Sequence, residues 1–275
     1  MVKAKTEYVR DPADGLPARR VRRWARRKHH YLDRYLSIFA RTMETKWRTR
    51  TFVDLFAGPG RCEERETGEF YDGSPLIAGR YAFTDHIYVE LDPIAAEALE
   101  QRTATLAATR RVSVIQGDCN LAIDRVIERL PRGGLTLAFL DPTTWQVSLE
   151  TVRRLTEHRP VDLIVTFMGG LMKRVEMGTP QLDAFFGTTA YRDDTRYLGV
   201  DGKPTLSGLL GCYREQLVSQ LGYRDALAAR EVIIRTPTNT PLYLMAFFSK
   251  HPLGHRFWDE ITVTDERGQT VLAFR

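Results

Sequence analysis

Cysteine is scarce in this chain: three residues, Cys62, Cys119 and Cys212, odd in number and far apart. That spacing excludes both a disulfide framework and the C-x-x-C pairs of a zinc site. Long apolar runs are missing as well. No stretch approaches the ~18 uninterrupted apolar residues of a membrane span. The N-terminal MVKAKTEYVRDPADG lacks the apolar core of a secretory signal. A reduced, cytosolic protein with no membrane partner and no bound metal is expected. The third glycine of a dinucleotide fingerprint is also absent, because Glu63 stands three places after Gly60. An NAD-linked oxidoreductase is therefore disfavoured, and the lack of a metal-ligand cluster speaks against a nuclease or repair enzyme.

What is present begins with charge. Of the net +5, residues 1–28 contribute +7, so the rest of the 275-residue chain is close to neutral at about −2 by difference. Residues 1–18, with Pro12, Gly15 and Pro17 among polar neighbours, read as a flexible lead-in. Residues 19–50 read as a basic helical segment. Arg19, Arg20, Arg22, Arg23, Arg26, Arg27 and Lys28 crowd around Trp24, while Tyr31, Leu32, Tyr35, Leu36 and Phe39 recur at helical spacing. Clustered arginines beside an aromatic suit nucleic-acid phosphates and bases. The competing reading of residues 19–28 is a solvated helix face.

The chain is organised around TFVDLFAGPG, residues 51–60. A short apolar strand that breaks into a glycine turn opens the ligand crevice of a doubly wound α/β sheet. Gly58 and Gly60 permit a sharp turn and a close backbone approach. Asp54, within the apolar run, needs a partner such as the turn or a cofactor amine.

The segment 61–76 is charged and glycine-broken and reads as an insertion that delays the first helix to about 75–82, with Ser74 as cap and Pro75 in the first turn. Thereafter strands and helices alternate. Strands ending near Glu90 and Asp92, Asp118, and Asp141-Pro142 are separated by helices beginning near Pro93, Leu121 and Ser148, and VDLIVTFM supplies a fifth strand. Three successive strands carry a carboxylate at their carboxyl edge, where such sheets bind ligands. Residues 168–203 loosen into a lid-like insertion. A helix then precedes two strong strands, EVIIRTP and LYLMAFFSK, joined as a hairpin, and residues 251–275 read as a terminal hairpin turning at Arg267-Gly268. The expected fold is α/β, a Rossmann-like, mostly parallel sheet over residues 51–250 with an antiparallel strand at its end, as in class I methyltransferases.

S-adenosylmethionine would find its contacts in chain order here. Asp54, Phe56, Gly58 and Gly60 would face its aminoacid end, Glu90 and Asp92 its ribose, and Asp118 and Cys119 its adenine. Asp141-Pro142-Thr143-Thr144-Trp145 follows the fourth strand, where a nucleophile would meet the methyl group. With DLFAGPG it resembles amino-group methyltransferases of nucleic acids, which carry Asp/Asn-Pro-Pro and then an aromatic. Two threonines replace the second proline and the aromatic, and Trp145 comes one place later, either to stack on a planar substrate or to pack in the core.

Along residues 24–260, KHHYLDRYL, VDLFAGPG, DGSPL, YVELDP, IQGDCN, FLDPTTWQ and LYLMAFFSKHPLG together resemble the three-Cys-motif partner proteins. That resemblance implies a methyltransferase-like fold and a radical-SAM-like partner protein that carries the three-cysteine motif. By residue it draws attention to Lys28, Ser74 and Arg174 as substrate-facing, to Asp141, and to His29 as a general base titrating near neutrality. The leading expectation is an S-adenosylmethionine-dependent methyltransferase acting on a nucleic acid or nucleotide-like substrate. The alternative is a non-catalytic adaptor that keeps the cofactor fold and serves the partner protein.

Overall fold

A computed structural model describes residues 7–168, 178–224, 231–236, 238–264 and 269. Its strands and helices run in the order β1 (Tyr8–Arg10), β2 (Pro17–Val21), α1 (Arg23–Met43), β3 (Arg50–Asp54), β4 (Arg61–Glu64), β5 (Phe70–Asp72) and α2 (Ser74–Gly79). Next come β6 (Asp85–Glu90), α3 (Pro93–Ala107), β7 (Arg111–Gln116), α4 (Ile123–Arg129), β8 (Leu135–Leu140), α5 (Leu149–Thr156) and β9 (Val161–Phe167). The chain continues through α6 (Pro180–Phe186), α7 (Leu206–Leu221), β10 (Val232–Arg235), β11 (Pro241–Phe248) and α8 (Pro252–Thr262).

The main sheet has the order β10-β11-β9-β8-β3-β6-β7. Only β11 runs against its neighbours, pairing antiparallel with both β9 and β10. The other pairs are parallel, with β3 between β6 and β8. This is the Rossmann-like class I methyltransferase sheet expected from the strand-helix alternation. Alternate side chains enter opposite cores, because successive strand residues point to opposite faces. Val53, Val89, Ala138 and Leu140 pack under α4, α5, α6 and α7, while Phe52, Tyr88, Leu137 and Phe139 pack under α1, α2, α3 and α8. The apolar stripe of α1 lies where its spacing put it, with Leu32, Leu36 and Phe39 fully buried. Lys28 sits one turn earlier on the same stripe and is buried with it.

Residues 8–21, expected to be a flexible lead-in and then helix, instead form β1 and β2. Together with β4 and β5 from the segment expected to be an irregular insertion, they build a second, four-stranded sheet, β1-β2-β4-β5. Charge explains the partnership. Arg20 binds Glu63 at 2.8 Å and Glu7 at 2.9 Å, Arg26 binds Glu69 at 2.6 Å, and the Arg23 N–H donates to Glu66 at 3.0 Å. The acidic hairpin supplies the counter-ions of the basic segment. Arg102 of α3 ties this sheet to the glycine turn, donating to Pro17 O at 2.6 Å and Pro59 O at 2.7 Å.

Helix α2 is shorter than expected and its N-cap is Gly73, with Ser74 inside the first turn and Pro75 after it. The expected terminal hairpin is overturned at its start, since residues 252–262 are helix α8, capped by the His251 side chain accepting from Leu253 N–H. The Arg267-Gly268 turn lies outside the described residues. Among the described residues no helix is long and apolar enough to cross a membrane.

Candidate functional site

The carboxyl edges of β3, β6, β7 and β8 converge on two adjoining clefts that share Arg19, Phe56, Gly58, Asp141 and Thr143. The first, about 320 Å³, is walled by Glu90, Asp92, Asp118 and Cys119, with Tyr8 reaching in from the small sheet. The second, about 230 Å³, lies between the start of α1 and the glycine turn, and is lined by Trp24, Lys28, His29, Ser74, Pro142 and Tyr243 among others.

In the first cleft, Gly58 turns with φ +64°, and a β-carbon there would meet nothing within 4 Å, so the turn is open toward the cleft. Its N–H donates to Glu90 Oε2 at 2.7 Å, while Asp92 N–H donates to Oε1 at 2.8 Å. Two backbone donors thus aim the Glu90 carboxylate, and each oxygen keeps a lone pair for a diol. Gly60, at φ +85°, is packed: a β-carbon would come within 3.1 Å of Leu99 Cδ1. Asp92 caps α3, accepting from Ile94 N–H at 2.9 Å, so half of its carboxylate is committed to the helix. Asp118 Oδ1 likewise accepts Asn120 N–H at 2.8 Å. Its Oδ2 takes no hydrogen bond among the described residues and can accept from an exocyclic amine. Cys119 is buried against the core beside it, and burial pushes its thiol up to about 12, so it acts as an apolar wall. Leu121, in contrast, is 86% exposed and lines neither cleft.

Asp54 lies beneath the turn and lines neither cleft. It is fully buried, and Oδ1 accepts the Phe56 N–H at 2.9 Å. Burial raises its pKa from 3.8 to about 7, against the hydrogen bonding of Ser74 and Phe56 and helped by the carboxylates of Asp141 and Glu90. The expectation of a direct cofactor contact gives way to a support role: a carboxylate under a tight turn is reached by the turn's own N–H first.

In the second cleft, Lys28 Nζ stands 2.6 Å from both oxygens of Asp141, and 4.4 Å from the centre of the Tyr243 ring. The pair joins the N-terminal helix to the end of β8 across 113 residues of chain. His29 borders the cleft with its Nδ1 unpartnered among the described residues, and its ring meets that of Tyr71 edge-on at 5.9 Å. Desolvation lowers its pKa to about 4, against the attraction of Asp141, so the expected near-neutral titration is corrected: the imidazole is neutral at pH 7. Ser74 lines the same cleft. Arg174 lies outside the described residues.

Trp145 does not face either cleft. It is 3% exposed, with its ring 4.9 Å from that of Phe185 and 5.8 Å from that of Phe186. The loop from Asp141 is held inward by Asn120, which donates to Gln146 O at 2.8 Å and accepts from Ser148 N–H at 2.9 Å. An indole bearing no charge gains most from that aromatic core, so substrate stacking by Trp145 is overturned. The aromatics that do line the second cleft are Trp24, Phe56 and Tyr243. Tyr8 and Tyr243 were not singled out by sequence, and Arg19 was named only as one of the basic cluster at residues 19–28, not as a strand residue lining both clefts. The alternation in YVR and PARRV was the available signal for Tyr8 and Arg19.

No family model matches the sequence, and no curated protein matches it significantly. Among solved structures, the chain is similar to protein LPL1258 from Legionella pneumophila, with TM-score 0.54, 12% identity, and 91% of this chain and 95% of that one covered. It is also similar, at TM-score 0.43 and 12% identity over 91% and 90% of the chains, to M. jannaschii TYW2 in complex with AdoMet. The first of these likenesses concerns the fold, and the strand order with its single reversed strand makes that fold class I methyltransferase-like.

Proposed function

We propose that the protein is an S-adenosylmethionine-dependent methyltransferase acting on a planar, nucleotide-like acceptor. The observation that carries this is the Gly58–Glu90 clasp. It leaves an open backbone turn and an oriented carboxylate side by side, next to Asp118 and continuous with a second cleft closed by Lys28 and Asp141. Those groups fit the cofactor: Glu90 for the ribose diol, Asp118 for the adenine amine, Cys119 and Phe56 as apolar walls, and the glycine turn for the aminoacid end. The bound cofactor supplies an electrophilic methyl group.

In this second cleft, the acceptor side on this reading, Trp24 and Tyr243 line the wall against which a planar ring would pack. Asp141, fixed by Lys28, would accept a hydrogen bond from the acceptor and take up its proton, holding the nucleophile toward the methyl group that the bound cofactor would supply. Orientation would supply most of the acceleration, because the two clefts adjoin and would hold acceptor and cofactor side by side. Neutral His29 is a second proton acceptor at the same wall.

The adaptor reading keeps one supporting observation, the burial of Trp145, which leaves no aromatic directly after Asp141-Pro142. It goes with membership of the three-Cys-motif partner family and a radical-SAM-like partner, for which the sequence motifs are the support. Calorimetric titration with S-adenosylmethionine, on wild type and Glu90→Gln, tests the cofactor site. Saturable binding weakened in the variant, followed by methyl transfer to nucleotides or nucleic acids, is expected. Binding without transfer to any acceptor would favour the adaptor, and no binding by the folded wild type would sink both readings of the cleft.

A further inference from the structure

The basic residues around the acceptor cleft are not equivalent once their partners are identified. Arg20 is held by Glu7 and Glu63, Lys28 by Asp141, and Arg61 by Asp11 at 2.8 Å and Asp72 at 2.7 Å. Two arginines lining the cleft have no carboxylate partner among the described residues: Arg19 and Arg22. Arg22 lies only over the ring of Trp24, at 5.3 Å. Arg19 is half-buried and belongs to a paired strand rather than a tail, opposite Tyr8 on β1 and Cys62 on β4. A half-buried guanidinium left unpaired has lost water without recovering an anion, so it is poised to take an oxyanion through its fork of donors. The remaining arginines of residues 19–28 either have acidic partners or stand away from the cleft, which argues for one seated anion rather than a polymer lying along the whole segment.

We infer that Arg19 and Arg22 form a phosphate seat beside Asp141, and that the acceptor is a phosphate-bearing molecule whose ring lies against Trp24 and Tyr243. The assignment of the ring to a methyl acceptor rests on the methyltransferase reading, whereas the oxyanion seat itself does not. Arg22 lines only the acceptor cleft, and this places the second guanidinium on the substrate side. Arg19 lines both clefts, so the cofactor's own carboxylate is the competing source of the same chemistry.

The test uses the full chain with inorganic pyrophosphate as probe, titrated by calorimetry with and without saturating S-adenosylhomocysteine. Arg19→Gln should weaken pyrophosphate binding on the order of tenfold or more, as for loss of a charge-assisted bidentate contact. Arg22→Gln should weaken it less, and Arg19→Lys should restore part of the affinity. Arg10→Gln, an exposed arginine on β1 outside the cleft, should leave it unchanged, and circular dichroism of each variant reports the fold. A second arm compares S-adenosylhomocysteine with 5′-methylthioadenosine, which lacks the aminoacid carboxylate. If Arg19→Gln weakens the first ligand alone and leaves pyrophosphate untouched, the oxyanion is the cofactor's and the phosphate-bearing acceptor is overturned. Pyrophosphate binding by wild type that Arg19→Gln and Arg22→Gln do not alter overturns the seat. Failure of wild type to bind S-adenosylhomocysteine would sink the cofactor reading alone, since the pyrophosphate series on the unliganded chain still reports the seat.

Discussion

Replacing Asp54 by asparagine removes a carboxylate that the fold keeps out of water while retaining an oxygen for the Phe56 N–H. The native carboxyl titrates near 7 and the unfolded one at 3.8, so between those values the folded chain holds more protons than the unfolded chain. Stability from this group is therefore lost as pH rises from about 4 to about 7, and is flat above that. With about 1.4 kcal/mol for each pH unit, the penalty is about 2 kcal/mol at pH 5 and about 4 kcal/mol at pH 8. The uncharged amide of the variant carries no such penalty. The stability gained by Asp54→Asn should grow by roughly 2–3 kcal/mol between pH 5 and pH 8, read as the difference between urea unfolding curves of the two proteins. Taking the difference removes other titrating groups, including Asp162, whose buried carboxyl is also raised to about 7. A difference independent of pH over that range would refute the placement of a desolvated, titrating carboxylate beneath the glycine turn.

The Lys28–Asp141 pair should behave as a buried unit. Lys28→Met alone leaves an uncompensated carboxylate and should destabilise by about 3–5 kcal/mol, while Lys28→Met with Asp141→Leu should recover much of that in a double-mutant cycle. Trp145→Ala should destabilise by about 3–5 kcal/mol through a core cavity, yet leave the affinity of the folded chain for S-adenosylmethionine unchanged in calorimetry. Gly187→Ala should be worse than Gly58→Ala in thermal unfolding. Both glycines have positive φ, but a β-carbon at 187 collides with Leu149, whereas at 58 backbone strain of about 1–2 kcal/mol acts alone. The His29 imidazole should remain neutral down to about pH 5 in NMR titration, its proton entering near 4, and a midpoint above 6 would remove the desolvated wall assigned to it.

Local pattern alone determined the main sheet. The alternation of apolar strands with helices, the DLFAGPG turn and the strand-end carboxylates are short-range signals, and the helix Pro93–Ala107 starts where its sequence suggested. The stripe of α1 was equally legible, and it carried Lys28 inward with it. Tertiary structure decided the rest, because the deciding interactions join residues far apart in sequence. Nothing local shows that PARRV will pair in parallel with RCEE, which turns an apparent basic arm and an apparent insertion into one sheet over the site. Nor can position in the chain tell which carboxylates face the cleft. Asp54, Asp92 and Asp118 look alike as strand-end acids, yet Asp54 is buried beneath the turn and Asp92 is half spent on a helix cap, while Asp118 keeps an oxygen free of hydrogen bonds among the described residues. Trp145 turned inward for the same reason: a core contributed by Phe167, Phe185 and Phe186 exists only once β9 and α6 have assembled around it. Charge composition revealed a basic N-terminal segment. Only the folded arrangement of acidic partners left Arg19 and Arg22 as the unpaired cations of the cleft among the described residues.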